Sequence, residues 1–352
     1  MWRVNFQIKT AYGVRKNVIA ALAVVLAFVL LLAGLWYSTV IVTSDSGLAF
    51  ILVSFALFVF IAAGGITAFL VYVKPVAAVL PACVACLILA AVAVFQRFDA
   101  LTAVSAVAFA FVPFLVGTPL GAFARGGKGR TSAVALASVL GVATLALALA
   151  KPVAALFSPF VTDGGLDFYA ALDSIRGWFT YIVDDFMTEL SKIYNTDVSN
   201  FDAAGSVNYF LNSLPAFLCA PIVTVTLLSQ LLMLAVAKIT GIYGEIPRAS
   251  VDYKVSAAGA VVFGVSFIAS FFCGGVVGAV FENLSLILRP VLALAGLISL
   301  IPRRYGNVVR VGCLPISMFF IMLVIYPSAA VIFLAVVGTF VTLKDAFGKK
   351  TV

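Results

Sequence analysis

Two charges stand inside apolar sequence, and they set the chemistry open to this chain. Arg289 lies between Leu286-Ile287-Leu288 and Pro290-Val291-Leu292, and Glu282 precedes it by seven residues. An arginine at the centre of a membrane span costs roughly 2.5–3.5 kcal/mol, so such residues face a cavity, a partner or the interface. Seven residues make about two helical turns. One helix covering both would allow carboxylate and guanidinium to pair. Asn283 and Ser285 beside them, with Ser229 and Gln230 upstream, add hydrogen-bonding groups that could join a site there. The ligand-binding set read from sequence is Glu282, Asn283, Arg289 and Gln230. A structural reading competes with it. Buried amides in membranes bridge helices more often than they bind ligands. An arginine about six residues into a span can also snorkel to the outer boundary.

Other chemistries are poorly served. The chain has no histidine, which removes Ser/His/Asp and Cys/His catalysis, and no two acids fall in mid-span for a two-carboxylate protease. No enzyme activity is expected. Cys83 and Cys86 match a C-x-x-C pattern, but a zinc site needs about four ligands, and a redox pair wants an electropositive, partly exposed setting. Within an apolar run after Pro81, small polarizable packing is the better reading. The run Gly126-Gly127-Lys128-Gly129-Arg130-Thr131-Ser132 resembles a phosphate loop only superficially. Position 122 is alanine where the Walker pattern needs glycine, and position 129 is glycine where it needs Ser or Thr. It reads as a basic turn. No metal and no cofactor are expected.

The elements that position these residues follow from composition. Hydrophobic residues make up 64% of the 352 and charged residues 10%, with a mean hydropathy of +1.20. A soluble domain carries about 25% charged residues, so lipid must solvate much of this chain. Lipid leaves helices or closed barrels, and long apolar runs without alternation select helices. The expected fold is an all-α polytopic bundle of about ten segments: 18–41, 48–73, 76–95, 100–123, 131–150, 214–237, 255–280, 284–302, 308–325 and 328–343. Residues 308–343 also admit a single tilted helix, and Pro327 favours a break that leaves a short or re-entrant hairpin. The first run is too long for a signal-peptide core and no A-x-A site follows it, so it reads as an uncleaved span.

Charge orients the spans. The net charge is +8, but the bases sit in short loops between spans, as the positive-inside rule expects, and no nucleic-acid partner is called for. With ten spans, 17 of the 22 bases fall inside, against three acids there (Glu245, Asp252 and Asp345). Both termini are then cytoplasmic. The chain divides into a basic N-terminus (1–17), five spans (18–150), an acidic outer segment (151–213), a C-terminal bundle (214–343) and a basic tail (344–352). All five cysteines lie in apolar runs rather than in the outer segment, so no disulfide framework is expected.

The outer segment has a net charge of −6 between Asp163 and Asp202. Its apolar residues recur at steps of three and four from Leu166 to Ile193, the mark of an amphipathic helix. Acidic faces do not favour anionic lipid, so the expectation is a lid on the outer ends of the bundle, with Trp178, Phe179 and Phe186 on its apolar side. Small-residue pairs four apart, including Gly117/Gly121 and Gly274/Gly278, favour close intramolecular helix packing over a dedicated partner interface.

The C-terminal half reads Leu214-Pro215 opening a span after the outer segment, then Phe281-Glu282-Asn283, then Leu294-Ala295-Gly296-Leu297-Ile298. It ends on Gly338, Leu343-Lys344-Asp345 and Lys349-Lys350. Over about residues 50 to 350 this layout resembles the YybS-like family of bacterial membrane proteins, a domain of unknown function. The chain departs from that family by an extra N-terminal span with a 17-residue basic lead. The resemblance implies a multi-pass protein of the bacterial cytoplasmic membrane. It also implies an organisation like the membrane-embedded substrate-binding components of energy-coupling-factor transporters, a fold-level analogy that assigns no residue a role. Two functions follow as expectations: small-molecule transport or substrate capture, and a non-catalytic scaffold or assembly factor docking a membrane-protein partner. The expected contacts are the lipid bilayer with a small ligand or such a partner.

Overall fold

The structure, a computed structural model, describes residues 12–43, 46–162, 165–194, 201–248, 253, 255–300 and 327–348. It is helical nearly throughout. The long helices are α1 (Tyr12–Thr43), α2 (Ser46–Val73), α3 (Pro75–Phe95), α4 (Ala100–Arg125) and α5 (Arg130–Ala148). A short α6 (Ala150–Phe157), a 3-10 turn (Ser158–Phe160) and the paired dipeptides β1 (Val161–Thr162) and β2 (Gly165–Leu166) lead into α7 (Phe168–Tyr194) and α8 (Ala203–Asn212). The chain continues through α9 (Leu214–Ile239), α10 (Ala257–Phe272), α11 (Gly275–Leu300) and α12 (Pro327–Phe347).

Eight of these (α1 to α5, α9, α11 and α12) are long and apolar enough to cross a membrane. The chain is therefore a multi-pass membrane protein in contact with the bilayer. α10 is equally apolar but has 16 residues, about 24 Å of helix against a hydrocarbon core of about 30 Å. The expected segment 308–325 lies outside the described residues, so these helices do not establish a count of ten.

One boundary differs from the sequence reading, which placed the seventh segment at 255–280 and began the eighth at 284. The break falls at Cys273-Gly274, and α11 begins at Gly275, whose φ of +63° is the left-handed turn that ends α10. The polar pair Glu282-Asn283 imitates a loop in sequence but sits within a helix. Arg289 is therefore 14 residues into α11 rather than six, about 21 Å along its axis.

Side chains are arranged as lipid requires. Phe28 and Leu32 of α1, Leu80 and Leu87 of α3, and Val139 of α5 point outward, while buried polar residues gather inside. α2, α4 and α9 are the most buried of the spans. No water-driven collapse favours helix association in lipid, so close backbone approach must supply it. α4 lays Gly117 and Gly121 on α2, where added Cβ atoms would fall on the carbonyl oxygens of Gly64 and Ala68. Gly296 of α11 and Gly338 of α12 meet reciprocally, each against a carbonyl of the other helix, Leu334 O and Leu292 O.

Candidate functional site

At the end of the bundle that carries α6 to α8, Asp202 and Asn283 fix the short α8 and tie its end to α11. Asp202 caps α8, its carboxylate accepting the Gly205 amide at 2.8 Å. Asn283 then fastens the α8–α9 joint to α11. Its amide nitrogen donates to the carbonyls of Asn212 (2.8 Å) and Ala279 (2.7 Å), and its side-chain oxygen accepts the Ala216 amide at 2.9 Å. All three contacts are to backbone, so Asn283 positions the site rather than facing a ligand.

That clamp sets the Tyr209 phenol against the Glu282 carboxylate. Burial, and then the carboxylate, hold the phenol's pKa above the ordinary tyrosine value. Arg289 lies two turns further along the same face of α11, within electrostatic reach of both. Ser285 falls between the two charges on that face and is 2% exposed, and Ser213 at the α8–α9 joint is 1% exposed. The hydroxyl of Ser285 and the Nε of Arg289 are buried without a hydrogen-bond partner among the described residues, while Ser213 stands against the Tyr209 phenol. Native proteins leave few such groups, and each calls for an occupant or a water. Beside Tyr209 lies an open cavity of about 420 Å³, lined also by Phe201, Asp202, Gly205 and Ser206. Of the sequence-read set, Glu282 and Arg289 come together here and Asn283 supports them.

Gln230 does not join them. It lies 14 residues beyond Ala216 on α9, about 21 Å toward the opposite end. There it accepts a hydrogen bond from Arg130 Nε at 2.6 Å. Arg130, the first residue of α5, is 4% exposed, and its guanidinium stacks 4.7 Å from the Tyr253 ring centroid. Tyr253 donates to the Val291 carbonyl at 2.7 Å, and burial raises its hydroxyl pKa well above the tyrosine range. Gly127 adopts φ +66°, where an added Cβ would stand 3.8 Å from the Pro247 ring, and Lys128 lies over the Phe123 ring. The glycine-rich turn thus helps to close this end of the bundle.

α7 packs on α6, the 3-10 turn and α8, with Phe168 stacked on Phe157 and Phe179 against Phe210. Ala171 is buried and Phe179 partly so, but Trp178 is 51% exposed and Phe186 59%. Cys83 and Cys86 on α3 are free thiols.

An ion pair closes the α6 end. Lys151 Nζ meets Asp99 at 3.1 Å, and the Lys151 amide donates to Ser105. The Thr102 hydroxyl, followed by Lys151, holds the Asp99 carboxyl below the ordinary range. A group depressed in the folded state keeps its contribution above the unfolded pKa, about 3.9, and loses it as pH falls through the folded value. A carboxyl-selective NMR titration should therefore place the Asp99 midpoint below about 3.9, and Lys151→Met should move it upward. An unmoved midpoint would mean that the ion pair does not form in solution.

Sequence reasoning missed Tyr209, Ser213, Arg130 and Tyr253. Only Arg130 carried a signal, a base directly abutting an apolar run. Compared with protein-family models, curated proteins and solved structures, the chain finds no match.

Proposed function

We propose that this protein captures a small zwitterionic solute at the α8 end of the bundle, as a transport or substrate-capture component of a bacterial cytoplasmic membrane. In this reading the α8 end faces outward and both termini face the cytoplasm, as the charge distribution along the sequence favours. Membership of the YybS-like family belongs to the same proposal and rests on the C-terminal residues quoted above.

The observation that carries it is the set of unpartnered buried polar atoms around the Glu282–Arg289 pair. Arg289 offers a guanidinium to a carboxylate or phosphate. Glu282 and Asp202 offer carboxylates to an ammonium group. Ser213 and Ser285 supply neutral partners between them. Ligand-coupled stabilisation reaches about 2.7 kcal/mol at one hundred times Kd. Purified protein should therefore gain thermal stability with one class of amino-acid-like or phospho-amine solute and not with neutral sugars. Arg289→Gln should abolish that gain while the protein still folds, whatever the lost attraction to Glu282 and Tyr209 costs the unliganded state. A broad solute panel without a shift, or a shift that Arg289→Gln leaves intact, defeats the proposal.

A scaffold role is the second reading. It draws on the aromatic residues that α7 leaves exposed, Trp178 and Phe186 among them. It requires in-cell cross-links from residues 163–202 to one protein partner, lost when α7 is deleted.

A further inference from the structure

Away from the charged cluster, α3, α4 and α5 leave a long apolar groove on the bundle's flank, at the same end as α6. Its volume is about 660 Å³, within the range of about 300–1,000 Å³ typical of ligand pockets. Alanines on both walls (Ala90, Ala93, Ala100, Ala103) open the void, because their short side chains do not reach across it. Along α4 the lining runs from Ala100 to Leu115, about 22 Å of helix. One leaflet of hydrocarbon is about 15 Å deep, half of a core of about 30 Å. The groove therefore starts at the membrane boundary and reaches past the midplane. An apolar void of this kind offers water almost no partners.

Its mouth is charged. Arg97, between the lining residues Val94 and Phe98, is exposed and held at φ +53°. Lys151 and Asp99 neutralise one another beside it, which leaves one net positive charge at the rim. An apolar slot of leaflet length under a cationic rim matches an acyl chain below a phosphodiester. We infer that this groove is a discrete binding site for one glycerophospholipid of the leaflet at the α6 end, with a chain between α3 and α4 and its phosphate at Arg97.

Vesicles containing the full chain and a phosphatidylglycerol carrying a photoreactive diazirine on one acyl chain provide the test. Cross-linked residues are mapped by mass spectrometry, with a matched diacylglycerol probe as the phosphate-free arm. Labelling should concentrate on Val94, Val104 and Val107, and phosphatidylglycerol should exceed diacylglycerol by about fivefold, the worth of one basic residue at a membrane surface. Arg97→Ala should bring that ratio close to one. Ala103→Trp, which fills the slot, should remove the concentrated labelling from both probes. Val107→Phe serves as a second filling variant if the first does not fold. Labelling spread evenly around the bundle overturns the inference, as does labelling that neither filling variant reduces. Equal labelling by the two probes overturns the phosphate assignment and with it the lipid named here.

Discussion

Gly338→Val is expected to destabilise the protein by at least about 3 kcal/mol, at the upper end of what overpacking costs. A Cβ on Gly338 would fall on the Leu292 carbonyl oxygen, and one on Gly296 would fall on that of Leu334. These neighbours are helical backbone, which cannot swing aside as a flexible side chain would. Gly296→Val should match the effect, since the contact is reciprocal, and the double variant should cost less than the sum because either valine alone forces the helices apart. Gly177→Ala is the control. That glycine is exposed in α7 with no atom within 4 Å of the added carbon, so the change should stabilise by about 0.8–1 kcal/mol through helix propensity. Thermal and denaturant unfolding in detergent measure all four. Wild-type stability in Gly338→Val would mean that α11 and α12 do not cross at these glycines.

The same crossing shows what the sequence discloses and what it conceals. Gly296 and Gly338 were visible as residues of a resemblance, 42 positions apart, yet nothing in either segment says that they touch. Apolar runs announce helices because the backbone in lipid has few alternatives. Eight long helices therefore appear close to where the runs lie. The polar pair Glu282-Asn283 outweighs the glycine pair as a sequence signal for the α10–α11 turn, although Gly275 is the residue whose backbone turns left. The Glu282–Arg289 relation followed from helical spacing alone. Tyr209 did not, because it arrives from α8 by way of Asn283, and Asn283 itself passed for a ligand residue. Gln230 was grouped with them by residue type, and distance along α9 separates it. Local periodicity was legible, and partners brought together by tertiary packing were not.

The separation of Gln230 carries the second large effect. Arg130→Met should cost about 3 kcal/mol, since it strands the Gln230 side-chain oxygen and removes the guanidinium from the Tyr253 ring. Gln230→Leu should cost a comparable amount, roughly 1.5–3 kcal/mol for a hydrogen bond made by a charged group. Combining the two removes donor and acceptor together and leaves apolar side chains of similar volume. The pair should therefore recover about 1.5 kcal/mol or more relative to the sum of the single changes. Tyr253→Phe should cost only about 1 kcal/mol, because the Val291 carbonyl that it serves lies within a helix. Gln230→Leu should leave the Glu282 end of the solute site intact, because Glu282 adjoins Asn283 at the level of Ala216, about 21 Å of helix from Gln230. Strict additivity in the cycle would show that Arg130 and Gln230 do not interact energetically. A loss of binding in the folded double variant would mean that the Arg130–Tyr253 contact, which reaches Val291 two residues from Arg289, also shapes the solute site.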